Sequence, residues 1–91
     1  MSVDLAVARL VDESYTSVTE CGGPVRALHY PSGEIGIGHT CKTVDGVTLI
    51  IAPLLDPAHV IESLDPLTVS PSILCPDCGL HGFIRSGVWV P

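Results

Sequence analysis

The sequence predicts a mostly β domain, a small α+β fold of short hairpins, from three observations. Eight prolines and nine glycines interrupt the 91 residues, which favours short strands and many turns over a helical bundle. Apolar residues make up 46% of the chain but aromatic residues only 4%, so Val, Ile, Leu and Ala must build the core. This length predicts one domain, residues 1–91, whose thin core benefits from an additional crosslink.

The first third of the chain predicts a helix followed by a loop. Residues 3–15 carry apolar side chains at helical spacing, and Asp4 lies where the helix dipole favours an acid. The same residues also fit an alternating strand, because their β-branched content is high. Residues 14–24 are polar and end in Cys-Gly-Gly-Pro, which indicates a loop.

The middle of the chain predicts a hairpin, a strand and a short helix. Residues 25–30 and 34–39 flank a Pro-Ser-Gly turn and therefore predict a hairpin. Residues 47–52 have the strongest β-propensity and are expected to form the most buried strand. Residues 56–64 predict one or two helical turns capped by Asp56, with an irregular loop as the alternative.

The C-terminal third predicts an extended segment and a final hairpin. Residues 67–74 are extended, and Pro71 restricts them to an edge or a bulge because proline has no amide hydrogen to donate. Residues 83–85 and 88–90 are the arms of a hairpin with a two-residue turn. Gly87 in that turn can adopt the positive φ that such turns require.

Residues 75–81, with the sequence Cys-Pro-Asp-Cys-Gly-Leu-His, carry the clearest chemical signal. Two thiolates and an imidazole on a turn shaped by proline and glycine can converge on one small ion. The upstream His39-Thr40-Cys41 adds two candidates at the end of a predicted strand. Zinc normally takes four such ligands, and we expect Zn²⁺ to bind at this site. The expected ligands are Cys41, Cys75, Cys78 and His81, with His39 as the alternative.

The four cysteines also allow disulfides. The first four residues lack a basic segment followed by an apolar one, and no apolar run approaches the length of a membrane span. We therefore expect a cytoplasmic protein, whose thiols stay reduced and free for metal. The alternative for Cys75 and Cys78 is a pair of buried free thiols. Cys21 has no partner at ligand spacing and is expected to be an exposed thiol outside the site.

Charge and motifs limit the classes of function. Three cysteine ligands make a closed, soft site, and the chain has no known catalytic motif, so a non-enzymatic protein is expected. The net charge is −6 with only four cationic residues, which disfavours nucleic-acid binding. A protein-interaction module is therefore expected, with a zinc-ribbon nucleic-acid binder and a metal-dependent enzyme as alternatives. The final hairpin could also self-associate, since Phe83, Val88, Trp89 and Val90 lie near an edge.

Residues 67–73 and the hairpin that follows Cys78 also resemble a small uncharacterised family of bacterial and phage proteins. Its members pair a Ser-Pro-Ser-Ile strand with a Cys-x2-His step and an aromatic-Ile-Arg-x-Gly hairpin. The upstream His39-Thr40-Cys41 resembles a His-x-Cys segment of that family. The resemblance covers about half of the chain, from residue 39 onward.

This resemblance implies a zinc-binding protein with ligands at Cys41, Cys78 and His81. The family is thought of as zinc-binding, has no established activity, and includes members encoded beside bacterial ubiquitin-like conjugation genes. We further expect the interaction module to be phage-encoded and to act on a host protein in the host cytoplasm. Family members have further cysteines where this chain has residues 42–44. We interpret Cys75 as the substitute for one of those cysteines. The fourth ligand is therefore open between Cys75 and His39.

Overall fold

The computed structural model describes residues 2–4, 13–42, 46–56 and 58–91, and within them it is built from β-strands. The mostly β prediction is therefore confirmed. The helix expected over residues 3–15 falls mainly outside the described residues, and its first two positions belong to a strand. No helix among the described residues is long and apolar enough to span a bilayer. The strands are β1 Ser2–Asp4, β2 Ser17–Glu20, β3 Arg26–His29, β4 Ile35–Lys42, β5 Thr48–Ile51, β6 Val60–Leu64, β7 Leu67–Leu74, β8 His81–Arg85 and β9 Val88–Val90.

The first sheet is antiparallel with the order β2-β3-β4-β5. Its centre is the predicted hairpin of β3 and β4, and the turn is closed by Tyr30 N–H, which donates to the Glu34 carbonyl at 3.0 Å. The first half of β4 pairs with β3, and its second half pairs with β5. The end of β4 that carries His39 and Cys41 is thus held in place by β5.

The second sheet is built around β7, which pairs on one side with β8 and on the other with β6 and β1. β6 pairs antiparallel with the first half of β7, and β1 pairs parallel with the second half. Pro71 lies between these halves, where the register with β8 also shifts. Of the two alternatives that Pro71 allowed, an edge or a bulge, the structure has the bulge. β7 is not an edge strand, because two different strands divide one of its sides between them.

The two sheets share one core. Ile37 of the first sheet and Ile73 and Ile84 of the second are fully buried in it, each with 0% exposure. A direct backbone bond also joins the sheets, since Trp89 N–H donates to the Cys21 carbonyl at 2.8 Å. The final hairpin has the expected two-residue turn, in which Ser86 and Gly87 both have positive φ, as a type I′ turn requires.

Two segments differ from the sequence prediction. Ser17–Glu20, expected in a loop, is the strand β2. It is a polar edge strand without the apolar alternation that would reveal it in the sequence. Val60–Leu64, expected to be helical or irregular, is the strand β6. Asp56 does cap a turn, in which it accepts the Ala58 N–H at 2.9 Å, but the chain then pairs with β7 instead of continuing as a helix.

The strand β5 is where expected, but it is not the most buried strand. Ile51 is 3% exposed, whereas Leu49 is 42% and Ile50 is 67% exposed. The reason is its position as the last strand of its sheet, which leaves one side of β5 without a neighbouring strand among the described residues. β-Propensity indicates the conformation of a segment and does not by itself fix its place in a sheet.

Substitution at Gly82 tests the packing of the final hairpin. A methyl group added there would lie 2.5 Å from Trp89 Cζ2 and 2.6 Å from the Val90 carbonyl oxygen, so the hairpin would have to shift. We expect Gly82→Ala to lower the free energy of unfolding by about 2–3 kcal/mol, the usual cost of overpacking. Urea denaturation measures this change.

The matched control is Gly36→Ala, another buried strand glycine. There the closest contacts would be 3.1 Å to Tyr30 Cε2 and 3.2 Å to the Ala52 carbonyl oxygen, which small adjustments can relieve. We expect Gly36→Ala to cost less than half as much as Gly82→Ala. Equal costs for the two variants would contradict this description of the hairpin.

Candidate metal centre

His39 and Cys41 project from the same face of β4. Side chains two residues apart on a strand point to the same side, and Ile37 on this face is fully buried in the shared core. His39 is 5% exposed and Cys41 is 1% exposed. The strand therefore directs an imidazole and a thiol toward the second sheet.

Cys75 and Cys78 lie in the turn between β7 and β8. Gly79 N–H donates to the Cys75 carbonyl, and Cys75 N–H donates to the Leu80 carbonyl, both at 2.8 Å. Gly79 has φ of 78°, a conformation in which a side chain would be strained, so glycine is needed to close this turn. The turn holds the two thiols close together.

These four residues form one group, which we call the ligand cluster. The ligand atoms of His39, Cys41, Cys75 and Cys78 all lie within 4.8 Å of one another. His39 Nε2 and Cys78 Sγ are 3.6 Å apart. Tetrahedral zinc ligands at about 2.3 Å from the ion lie roughly 3.8 Å from each other. The cluster thus has nearly the dimensions of a metal site, with two residues from each sheet.

A backbone contact orients the His39 ring. His39 Nδ1 lies 2.9 Å from the carbonyl oxygen of Ile37. Because a carbonyl oxygen only accepts hydrogen bonds, Nδ1 carries the proton, and in the neutral ring the lone pair is on Nε2. Nε2 is the atom that faces Cys78. Metal-binding histidines are commonly fixed by such a bond from their second nitrogen.

The thiols are in an environment that opposes free thiolates. Burial, together with the neighbouring Cys78 and Cys75, raises the pKa of Cys41 to about 12. Burial also raises the pKa of Cys75, although backbone N–H groups of Cys78 and Asp77 hydrogen-bond to it and act in the opposite direction. A cation would remove the penalty of burying these thiolates, and the N–H groups would remain to stabilise the Cys75 sulfur.

The structure places one member of the expected ligand set apart from the others. His81 lies outside the cluster, is exposed, and has its Nε2 3.2 Å from Ser72 Oγ. His39, which the sequence offered as the alternative ligand, is the fourth member of the cluster. The alternation of β8 explains this result, because Gly82 and Ile84 are buried and His81 therefore points away from the core.

Cys21 is outside the cluster, as expected, but it is not an exposed thiol. It is 2% exposed, belongs to the shared core, and its Sγ donates to the Thr19 carbonyl at 3.6 Å. The carbonyl of Cys21 accepts the hydrogen bond from Trp89 N–H that joins the two sheets. The Gly-rich sequence after Cys21 indicated a loop but gave no information on whether the thiol itself was buried.

The ligand cluster is suited to hold a metal ion. Thiolates and imidazole favour soft or borderline ions, and all four ligands come from the protein. Comparisons with protein-family models, with curated proteins and with solved structures find no match to this chain. The metal site is therefore inferred from the geometry of the cluster alone.

Substitution of the two histidines tests the composition of the cluster. We expect His39→Asn to lower the bound metal well below one ion per chain after competition with a chelator, because the variant lacks the imidazole of the cluster. His81→Asn, the matched control, should retain the wild-type metal content. Metal analysis by mass spectrometry measures both, and the reverse result would restore His81 as the ligand.

Metal affinity should fall as the pH is lowered. A thiol must lose its proton to bind metal, and the raised pKa values of Cys41 and Cys75 keep both protonated at neutral pH in the metal-free protein. Each of them then releases one proton on binding. We expect the logarithm of the association constant to rise by at least about two per pH unit near neutrality.

Chelator competition at several pH values measures this slope. Cys21→Ser is the control and should keep the wild-type slope, because Cys21 is buried like Cys41 but lies outside the ligand cluster. A pH-independent affinity would show that the buried thiols do not bind the ion as thiolates.

Proposed function

We propose that this chain is a small non-enzymatic protein-interaction domain stabilised by one structural zinc ion. The observation that carries the proposal is the ligand cluster, in which a strand of one sheet and a turn of the other bring three thiols and an imidazole together. Three cysteines and one histidine are a common ligand set of structural zinc sites.

Zinc would crosslink the two sheets through ligands from each of them. His39 and Cys41 belong to the first sheet, and Cys75 and Cys78 follow the central strand of the second. A domain of 91 residues buries a core of modest size, so its apolar contacts contribute limited stability. An ion held by ligands from both sheets would add to that stability. The role of the ion in this proposal is therefore structural.

The composition of the cluster supports a structural ion over a catalytic one. A catalytic zinc has three protein ligands and leaves one position for water or substrate, whereas this cluster supplies four ligands. Three of the four residues are buried and the fourth, Cys78, is half-buried. This arrangement favours a closed coordination shell.

Exposed apolar side chains support an interaction role. Several large apolar residues on edge strands are more than one-third exposed, and a protein partner that covered them would gain free energy from their burial. They are Leu49 and Ile50 on β5, Val60, Ile61 and Leu64 on β6, and Val88 and Val90 on β9. A host protein is one partner that we propose for this surface.

Paired cysteine variants test the structural role of zinc. Cys41 and Cys21 are equally buried, so replacing either by serine disturbs the core to a similar extent, but only Cys41 belongs to the ligand cluster. We expect Cys41→Ser to lose zinc and to lower Tm by about 20 °C or more, since each kcal/mol is worth about 4–8 °C in a domain of this size.

Cys21→Ser should keep one zinc ion per chain and show the smaller loss of Tm. Chelation of the wild-type protein should reproduce the low Tm of Cys41→Ser, and returning zinc should restore the wild-type value. Metal analysis and thermal unfolding monitored by circular dichroism measure these effects. The proposal is wrong if chelated and zinc-loaded proteins unfold at the same temperature.

A further inference from the structure

We propose that the ligand cluster is a redox-sensitive site, in which a peroxide joins Cys78 to Cys41 as a disulfide and thereby removes two of the four metal ligands. This inference rests on the proposed structural zinc and deepens it by naming how the ion is released. The three thiols of the cluster lie within 4.8 Å of one another, so two sulfur atoms need to approach by at most about 2.8 Å to form a disulfide bond.

Cys78 is the thiol of the cluster that an oxidant in solution reaches first. It is half-buried in the turn between β7 and β8, whereas Cys41 and Cys75 are each only 1% exposed. Oxidation of a thiol depends on its exposure, and oxidation-sensitive cysteines often lie beside a second thiol that completes a disulfide. Cys78 has both properties, because the thiols of Cys41 and Cys75 lie close to it.

The surroundings of the two buried thiols favour Cys41 as the partner of Cys78. Of the other two thiols in the cluster, Cys78 makes the stronger hydrogen-bonding contact with Cys41. The Cys75 sulfur instead accepts hydrogen bonds from the backbone N–H groups of Cys78 and Asp77. Oxidation of Cys75 would weaken those bonds, because a disulfide sulfur is a poor acceptor. Oxidation of Cys41 leaves them intact.

The reaction balances with hydrogen peroxide as the oxidant. In the first step the Cys78 sulfur bonds to one peroxide oxygen, the O–O bond breaks, and water leaves with the thiol proton, so that Cys78 becomes a sulfenic acid. In the second step the Cys41 sulfur bonds to the Cys78 sulfur, the S–O bond breaks, and a second water leaves with the Cys41 proton. The two thiols lose two electrons in total, and the peroxide gains them.

This disulfide releases the ion and keeps the two sheets joined. Cys41 lies on β4 of the first sheet, and Cys78 lies in the turn that follows β7 of the second, so the bond between them is a covalent link across the core. A disulfide between Cys75 and Cys78 would stay within one turn and would not connect the sheets. The oxidised chain is therefore a second crosslinked form of the domain, and a thiol reductant returns it to the metal-binding form.

Hydrogen peroxide treatment of the zinc-loaded full chain tests the inference. A chromogenic zinc indicator records release of the ion, and mass spectrometry of a digest identifies the disulfide. Cleavage after Arg and Lys and before Asp places the four cysteines on four peptides, which are residues 12–26, 27–42, 65–76 and 77–85. We expect release of the bound zinc together with a link between peptides 27–42 and 77–85, which carry Cys41 and Cys78.

Cys21 is the matched control within the same molecule. It is as buried as Cys41 but lies outside the cluster, so peptide 12–26 should keep a free thiol. In Cys78→Ser the remaining thiols of the cluster are both buried, and we expect their oxidation to be about tenfold slower or more. The wild-type digest needs no substitution and therefore decides the pairing even if this variant does not fold.

Thermal unfolding supplies a second readout. With zinc chelated, the oxidised chain should unfold about 10 °C or more above the reduced chain, because the disulfide restricts the unfolded state, and a thiol reductant should abolish the difference.

Three outcomes would overturn the inference: zinc and thiols that survive excess peroxide, oxidation of Cys21 as fast as Cys78, or a disulfide that joins Cys75 to Cys78. Metal analysis before peroxide is added decides the structural-zinc proposal separately. A chain that binds zinc but keeps it in peroxide contradicts the redox inference only. A chain that binds no zinc but joins Cys41 to Cys78 contradicts the zinc proposal and leaves the pairing of the thiols standing.

Discussion

The arrangement of this domain depends on the meeting of two sheets at one small group of ligands. A histidine and a cysteine on β4 face two cysteines in the turn after β7, and Cys41 and Cys75 belong to the shared core. Burial is unfavourable for the thiolate forms of Cys41 and Cys75, as the raised pKa values of these two residues indicate. A bound cation would reverse that balance, and the same residues would then hold the sheets together.

The local structure around the cluster holds its four side chains in position. The Ile37 carbonyl fixes the His39 ring, and the turn closed by Gly79 sets the spacing of Cys75 and Cys78. β5 holds the end of β4 on which His39 and Cys41 lie. Because β5 is itself an edge strand, the element that supports the ligand cluster also exposes the apolar side chains of Leu49 and Ile50.

Much of the fold was predictable from particular residues. The Pro-Ser-Gly turn after residue 30 and the Ser86-Gly87 turn define two hairpins, because those residues favour tight turns in almost any context. Ser17–Glu20 and Val60–Leu64 were not recognised as strands. Both lie at sheet edges, where half of the side chains face solvent. Their conformation depends on pairing with a neighbouring strand, and the local sequence contains no signal for that pairing.

The sequence by itself determined the type of site: cysteine and histidine residues at metal-ligand spacing in residues 75–81, with a second pair upstream. The tertiary structure decided which histidine joins the cysteines. Cys78 and His81 are close in sequence, but the alternation of β8 turns His81 outward, whereas the packing of the two sheets brings His39 to Cys78 across 39 residues of chain. Ligand identity is a chemical property of residues, but convergence of ligands depends on contacts between distant segments.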